Sequence, residues 1–342
     1  MKYTTLRLPA EWEEQAAILI AWPHNNTDWN YMLQEVEECY IKVAKAIACD
    51  EDLIIVTPQV SAVKSKLADV HDDNIHVFQV STNDTWARDF GPISVIENGA
   101  PVLYDFMFNA WGLKFPASYD NLITSSLHKL GAFKTKLHNK LNFVLEGGSI
   151  ESDGNGTLLT TTECLLSPNR NGEFTKGEIE NYLISQFGLK KIIWLNHGFL
   201  SGDDTDSHID TLARICPHNI IAYVGCDDVQ DEHYKELKLM EEELKAATNA
   251  QGEPFNLVKL PFPAPIYDEN GLRLPATYAN FLITNNQVLV PTYGQPDNDV
   301  LALRLISQIF PDRKITGIDC RPLIKQHGSL HCITMQLAKG TF

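Results

Sequence analysis

Short apolar runs, each ending at a proline or a polar loop, alternate along this chain with stretches whose apolar residues recur at helical spacing. In residues 31–48, Leu33, Val36, Tyr40, Val43 and Ile47 share one helical face, and Asp28 stands where a cap would. Residues 232–247 read as a surface helix whose Glu and Lys side chains fall at i, i+4 spacing. Short strands are predicted at 53–58, 75–80, 102–108, 141–145, 163–168, 192–195, 219–224, 257–260, 286–291 and 315–318. Strands alternating with helices place the fold in the α/β class.

The alternation repeats. The strand at 163–168 is followed by Leu183-Ile184-Ser185-Gln186, and the strand at 286–291 by Leu305-Ile306-Ser307-Gln308. In both copies a second strand, 192–195 or 315–318, then leads into a loop. Weaker copies begin at 53–58, 102–108 and 219–224. Repetition at about 50 to 60 residues indicates units that share one core. Five units closing in a ring would gather the loops after the returning strands at one end of an axis. Those loops carry Asp89, Glu146, His208 with Asp210, and Cys332.

Length alone would allow two domains in 342 residues, but no Gly/Ser linker or long charge block divides the chain. Residues 1–342 are therefore expected to form one domain. Residues 1–9 lack a basic stretch followed by an apolar run, so no export signal is read and a cytoplasmic setting is expected. Apolar runs such as 16–22 are too short to span a bilayer. Seven cysteines without close pairing suit a reducing compartment, and most read as small buried hydrophobes, Cys39 and Cys49 on a helix and Cys164 in a strand. No Cys-x-x-Cys pair marks a structural zinc site. A formal charge of −16 argues against nucleic acid and fits a small cationic substrate. Glu146-Gly147-Gly148 lacks the lysine of a P-loop and the spacing of a dinucleotide fingerprint.

Cys332 lies in His327-Gly328-Ser329-Leu330-His331-Cys332, where Gly328 allows close backbone approach to a ligand and a neighbouring cation would favour the thiolate. In an extended stretch His208 and Asp210 would share a face, an imidazole to move protons and a carboxylate to hold a cation. The acid-rich segment 203–210 fits an EF-hand poorly, because neither register supplies the Gly and Glu that such a loop needs. Asp89 follows Trp86 and Arg88. Two facing carboxylates repel, and a planar guanidinium relieves that repulsion with a persistent charge and a fixed fork of donors. The plain alternative for Arg88-Asp89 is a surface ion pair. For Glu146 it is a solvated turn. Otherwise Glu146, ending an apolar strand, requires a partner such as His208 or the ligand.

Four segments together, 83–89 (Asn-Asp-Thr-Trp-Ala-Arg-Asp), 145–150 (Leu-Glu-Gly-Gly-Ser-Ile), 206–210 (Asp-Ser-His-Ile-Asp) and 328–334 (Gly-Ser-Leu-His-Cys-Ile-Thr), resemble the agmatine deiminase and bacterial peptidylarginine deiminase family of guanidino-modifying enzymes. Residues 274–281 and Ala21-Trp22-Pro23 are similar to that family as well. The resemblance spans nearly the whole chain in the family's order. It implies a five-bladed α/β propeller of ββαβ-type units with pseudo-fivefold symmetry, no cofactor, no metal and a homodimer. It also implies that Asp89 and Asp210 grip the guanidinium, His208 is acid and base, Glu146 orients substrate or histidine, and Cys332 attacks. Trp86 and Asn280 would line the pocket, with Trp22 and Asp204 as further substrate-binding candidates. The chain departs from the agmatine-specific pattern at His327-Gly328-Ser329-Leu330, where three glycines and Asn-Ile are usual. It departs again at His24-Asn25-Asn26, where an acid and an arginine are usual.

The expected reaction is hydrolytic deimination through a covalent S-alkylthiouronium on Cys332. Agmatine, giving N-carbamoylputrescine and ammonia, is preferred because no export signal is read. Free or peptidyl arginine stays open as substrate. A manganese ureohydrolase would need metal motifs that are not found outside 203–210. Amidinotransfer shares the covalent step, and a non-catalytic binder of guanidines or polyamines would have no use for a nucleophile beside a base.

Overall fold

The computed structural model describes residues 5–70 and 72–342. Strands and helices alternate as the patterning predicts, and the strands form five small sheets. Three sheets share one design, in which an antiparallel strand precedes a central strand that is joined through a helix to a parallel partner. These are Glu151–Ser152, Thr157–Thr161 and Lys191–Leu195; Ala213–Cys216, Ile220–Val224 and Asn256–Leu260; and Leu282–Ile283, Gln287–Thr292 and Lys314–Asp319. A fourth sheet repeats it with Ile93–Glu97, Ala100–Met107 and Leu137–Val144, and adds Leu6–Arg7 at its edge. In the fifth, the C-terminal strand Thr334–Ala338 lies antiparallel to Gln15–Ala21, which runs parallel to Asp52–Thr57, itself parallel to Ile75–Gln79. The two ends of the chain thus meet in one sheet.

The apolar runs Ala17-Ile18-Leu19-Ile20-Ala21 and Leu53-Ile54-Ile55-Val56 are wholly buried, as parallel strands covered on both faces must be. Leu33–Ala48 buries Val36, Tyr40, Val43 and Ile47, the predicted face, and Tyr234–Ala246 is the predicted surface helix. Asp28 does not cap the first of these; it opens a 3₁₀ turn, Asp28–Met32, that leads into the helix. Among the described residues no helix is long and apolar enough to cross a membrane.

The segment 163–168 differs from its prediction. Two of its apolar residues, Cys164 and Leu165, belong to the short helix Thr162–Leu165, whose amide at Cys164 is accepted by the Thr161 hydroxyl, so Cys164 is helical and the strand is Thr157–Thr161. A run of three apolar residues fits a buried turn as well as a strand, and the threonine cap decides. The repeat itself persists in a shifted register. Thr157–Thr161 and Gln287–Thr292 are the equivalent strands, and the two Leu-Ile-Ser-Gln segments lie late in the equivalent helices Lys176–Phe187 and Pro296–Ile309.

Candidate active site

In each of the five sheets the returning parallel strand ends in a loop that leads to the first strand of another sheet. The residue of interest sits just before that next strand. Asp89 lies in the short helix Ala87–Phe90 before Ile93–Glu97, and Gly148 in the turn Gly147–Ser149 before Glu151–Ser152. Asp210 lies in the turn Ile209–Thr211 before Ala213–Cys216, Asn280 before Leu282–Ile283, and Cys332 before Thr334–Ala338. Equivalent positions in successive units thus supply different chemical groups.

Gly148 shows how closely they meet. A Cβ placed on it would lie 2.6 Å from His208 Nδ1, 2.9 Å from Asp89 Oδ1 and 3.2 Å from Asp210 Oδ2. His208 Nδ1 is itself 3.6 Å from Asp89 Oδ1. The sequence argument gave His208 and Asp210 a common face on an extended stretch. Instead Asp210 is in a 3₁₀ turn, and His208 is delivered by the left-handed residues Asp206 and Ser207. Asp203 holds that turn, its carboxylate accepting from the Ser207 amide at 2.8 Å and the Thr205 hydroxyl at 2.6 Å.

Asp89 accepts the Trp111 indole N–H at 2.9 Å and the Gly148 amide at 3.2 Å. Trp111, which the sequence did not single out, is aimed there by four consecutive residues, Ala110 to Leu113, that all have positive φ. Glu146 is fully buried rather than solvated. Arg170 donates to both its carboxylate oxygens, at 2.9 and 3.1 Å, and also bonds Thr205 O and Asp206, so one guanidinium ties Glu146 to the histidine loop. Asn280 Oδ1 accepts the amides of His331 and Cys332 at 2.9 and 3.3 Å and lies 3.4 Å from the Cys332 sulfur, while its Nδ2 donates to Asp210 O.

Cys332 and Asp89 line a cleft of about 140 Å³ with Trp86, Trp111, Phe115, Asp28, Asp84, Asp204, Thr205, Gln326, His327 and Gly328. Trp22, expected at the pocket, is not on this wall. Its indole donates to Glu37 inside the core and its ring meets Tyr40 edge-on, because its strand is covered on both faces. Gly328 is needed for a reason other than ligand approach, since a Cβ there would lie 2.2 Å from the Trp86 ring. His208, Asp210 and Glu146 are buried behind the wall. Arg88 is buried too and bonds Gln336, so it is no surface ion pair.

Burial sets the electrostatics. It pushes the Asp89 carboxyl well above the usual range, helped by Asp210 and Glu146. Burial would raise Asp210 as well, but the His331 hydrogen bond and charge outweigh it and the acid ends below its ordinary value. Desolvation brings His208 down to about 4, so the imidazole is neutral near pH 7. The Cys332 thiol is pushed well up by burial and by the carboxylates of Asp210 and Asp89. Asp89 and Asp210 thus shift in opposite directions. A bound cation would relieve the repulsion between them, lower the Asp89 carboxyl and favour the thiolate. His208 Nε2 and Asp210 Oδ1 are buried without hydrogen-bond partners among the described residues. Among the described residues two groups have the residue types of metal ligands, Glu146 with Cys164 and His208, and Glu11 with Glu151 and His331. An arginine already sits in each, Arg170 on Glu146 and Arg214 between Glu11 and Glu151.

Comparison with known proteins places this geometry among relatives. A model of the Porphyromonas-type peptidyl-arginine deiminases matches residues 7–338. A Legionella pneumophila (strain Paris) protein named "Putative agmatine deiminase" is 38% identical over 97% of this chain and 95% of its own. The crystal structure of the "Putative Arginine Deiminase" from Porphyromonas gingivalis is 49% identical with a TM-score of 0.94, covering 99% of this chain and 100% of that one. A cysteine-to-serine variant of C. jejuni agmatine deiminase with substrate bound is 42% identical with a TM-score of 0.93, covering 99% of this chain and 98% of that one.

Proposed function

This chain belongs to the Porphyromonas-type peptidyl-arginine deiminase family, and we propose that it hydrolyses agmatine to N-carbamoylputrescine and ammonia. The observation that carries this choice is the set of side chains on the cleft wall. Asp28, Asp84, Asp89 and Asp204 line it, and neither arginine nor lysine does. Agmatine is cationic at both ends. The α-carboxylate of free arginine would lose its water beside those acids with no arginine or lysine on the wall to pair with, at a cost of desolvation. Free arginine is the second reading, favoured by the name of the P. gingivalis relative.

In this reading the guanidinium is gripped by Asp89 and Asp210, stays cationic and favours the ionised form of both carboxyls. Trp86 and Trp111 wall the cleft, and Asp204 faces the substrate's far amine. The nearby cation lowers the cost of the Cys332 thiolate, whose proton passes to neutral His208. Sulfur then adds to the guanidinium carbon. His208 returns the proton to the departing nitrogen, which leaves as ammonia, and a cationic S-alkylthiouronium remains. Water gives one proton to His208 and its oxygen to the same carbon. The C–S bond breaks, the thiolate recovers its proton from His208, and the hydroxyl proton goes to ammonia to complete ammonium and the ureido product. Glu146, held by Arg170, keeps the His208 loop in place. Positioning of reactants and preorganised charge account for the rate in this scheme.

The proposal includes a single domain of five sheets set around one axis as the blades of a five-bladed α/β propeller. The shared sheet of the two chain ends and the five equivalent loops support it. A cytoplasmic homodimer completes the picture, the dimer being testable by light scattering. Ammonia and ureido product should be assayed with agmatine, arginine and an N-acylated arginine amide. Agmatine should exceed arginine by at least about 100-fold in kcat/KM, as expected for an unpaired buried carboxylate. Preference for either arginine compound would overturn the agmatine assignment, and full activity of Cys332→Ala would overturn the covalent route.

A further inference from the structure

The residue before the nucleophile has no part in that chemistry, yet it is among the most tightly held side chains in the protein. His331 is 1% exposed. Its Nδ1 lies 2.7 Å from Asp210 Oδ2, and its Nε2 lies 2.8 Å from Glu11 Oε2. Glu11 is fixed in turn. Its Oε2 accepts from Arg214 Nη2 at 2.6 Å, and its Oε1 from the Ile283 amide at 3.0 Å. Arg214, fully buried, also bonds Glu151 and the carbonyls of Ala279 and Phe281. The line Asp210–His331–Glu11–Arg214–Glu151 joins segments that lie in or lead into three different sheets.

Arg214 Nη2 also lies 3.1 Å from His331 Nε2, so that nitrogen can accept from the guanidinium, whereas Nδ1 faces the carboxylate of Asp210, which when ionised only accepts, and therefore donates to it. The donation to Asp210 leaves Oδ2 satisfied and Oδ1 without a partner. Asp89 instead accepts from an indole and a backbone amide. The two acids that would grip a guanidinium are thus made unequal by their partners.

We propose that His331 is a positioning residue: its Nδ1–H locks the Asp210 carboxylate in one orientation, with Oδ1 left for the guanidinium, while Glu11 and Arg214 lock the imidazole from the other side. The downward shift of the Asp210 carboxyl, with His331 as the group that outweighs burial, agrees with this. The inference rests on the deiminase reading and deepens it. Deletion of the Nδ1 donor leaves a buried carboxylate free to turn or to take up a proton, and either outcome leaves the guanidinium bound but misaligned for attack.

Two amide substitutions separate the two bonds of the ring. In His331→Asn the amide nitrogen falls near the place of Nδ1 and can still serve Asp210. In His331→Gln it falls near the place of Nε2 and can still serve Glu11. The expected result with agmatine is a kcat/KM for His331→Gln about ten-fold or more below that of His331→Asn, carried mainly by kcat, with similar melting temperatures because each variant keeps one buried bond. Equal losses, or a larger loss in His331→Asn, would assign His331 to the Glu11 network alone and overturn the proposal.

A measurement on the unmodified protein covers the case in which either variant fails to fold. Nuclear magnetic resonance of protein carrying ¹⁵N-histidine should show a low-field Nδ1 proton on His331, sheltered from exchange. Its absence overturns the proposal. If the unmodified enzyme released no ammonia from agmatine, the substrate reading would fail, and the resonance would still decide the His331–Asp210 bond.

Discussion

Replacement of Gly148 by alanine tests the convergence of the site with one methyl group. The position has no positive φ, so its backbone accepts alanine. The new Cβ would instead meet His208 Nδ1 at 2.6 Å and Asp89 Oδ1 at 2.9 Å. Ordinary van der Waals separation requires the imidazole to retreat by roughly 0.9 Å and the carboxylate by roughly 0.6 Å. Displacements near 1 Å in a reacting constellation cost about 100-fold in rate, whereas one methyl of overpacking costs about 1–3 kcal/mol of stability. Gly148→Ala should therefore fold with a modestly lowered melting temperature and lose about 100-fold in kcat/KM for ammonia release. Gly177→Ala, with nothing within 4 Å of its Cβ, is the control and should match the unmodified enzyme. Activity of Gly148→Ala within a few-fold of the control would refute the convergence of His208, Asp89 and Asp210. Loss of activity by outright unfolding would refute the claim that the methyl acts on the site rather than the fold.

Arg170→Met should destabilise the protein by about 3–5 kcal/mol, because Glu146 would keep a buried charge without its partner; chemical denaturation measures it, and a loss under about 1 kcal/mol would contradict the pairing. The pH dependence of stability has a fixed sign. Burial and neighbouring acids raise Asp84 and Glu51 to about 8 each, so the folded state holds protons that the unfolded chain has released. Melting temperature should fall from about pH 7 to about pH 9, above the range in which the lowered His208 contributes a slope, and Glu51→Gln should flatten the fall; a rise would contradict the assignment. Asp204→Asn should raise KM for agmatine by about ten-fold with kcat little changed, as loss of uniform binding to a distant amine predicts; an unchanged KM removes Asp204 from the binding surface.

The chemistry was more legible in the sequence than the supports that hold it. Asp89, Glu146, His208, Asp210 and Cys332 each lie in a polar loop after an apolar strand, and that grammar identified the loops before any contact was known. The strand placed at 163–168 failed because Cys164-Leu165-Leu166 fits a buried helical turn equally well, and the capping role of Thr161 depends on where the turn begins. Trp22 failed because a tryptophan ending a buried strand packs inward as readily as toward a ligand. Arg170, Trp111 and the Glu11–His331–Arg214 line were illegible for another reason. Each acts through a partner distant in sequence, and nothing local marks an arginine in Pro168-Asn169-Arg170-Asn171 as the counter-ion of Glu146. His331 stood beside the nucleophile, but its importance lies in Glu11, at the other end of the chain.

The central claim is that the Cys332 sulfur becomes bonded to the guanidinium carbon during turnover. It is tested most directly by quenching the enzyme in acid while it consumes agmatine and measuring the mass of the peptide that contains Cys332. The expected result is an adduct with the mass of agmatine less ammonia on that cysteine, absent in Cys332→Ser. Ammonia accumulating while Cys332 stays unmodified at every sampled time, or an adduct on another residue, would contradict it.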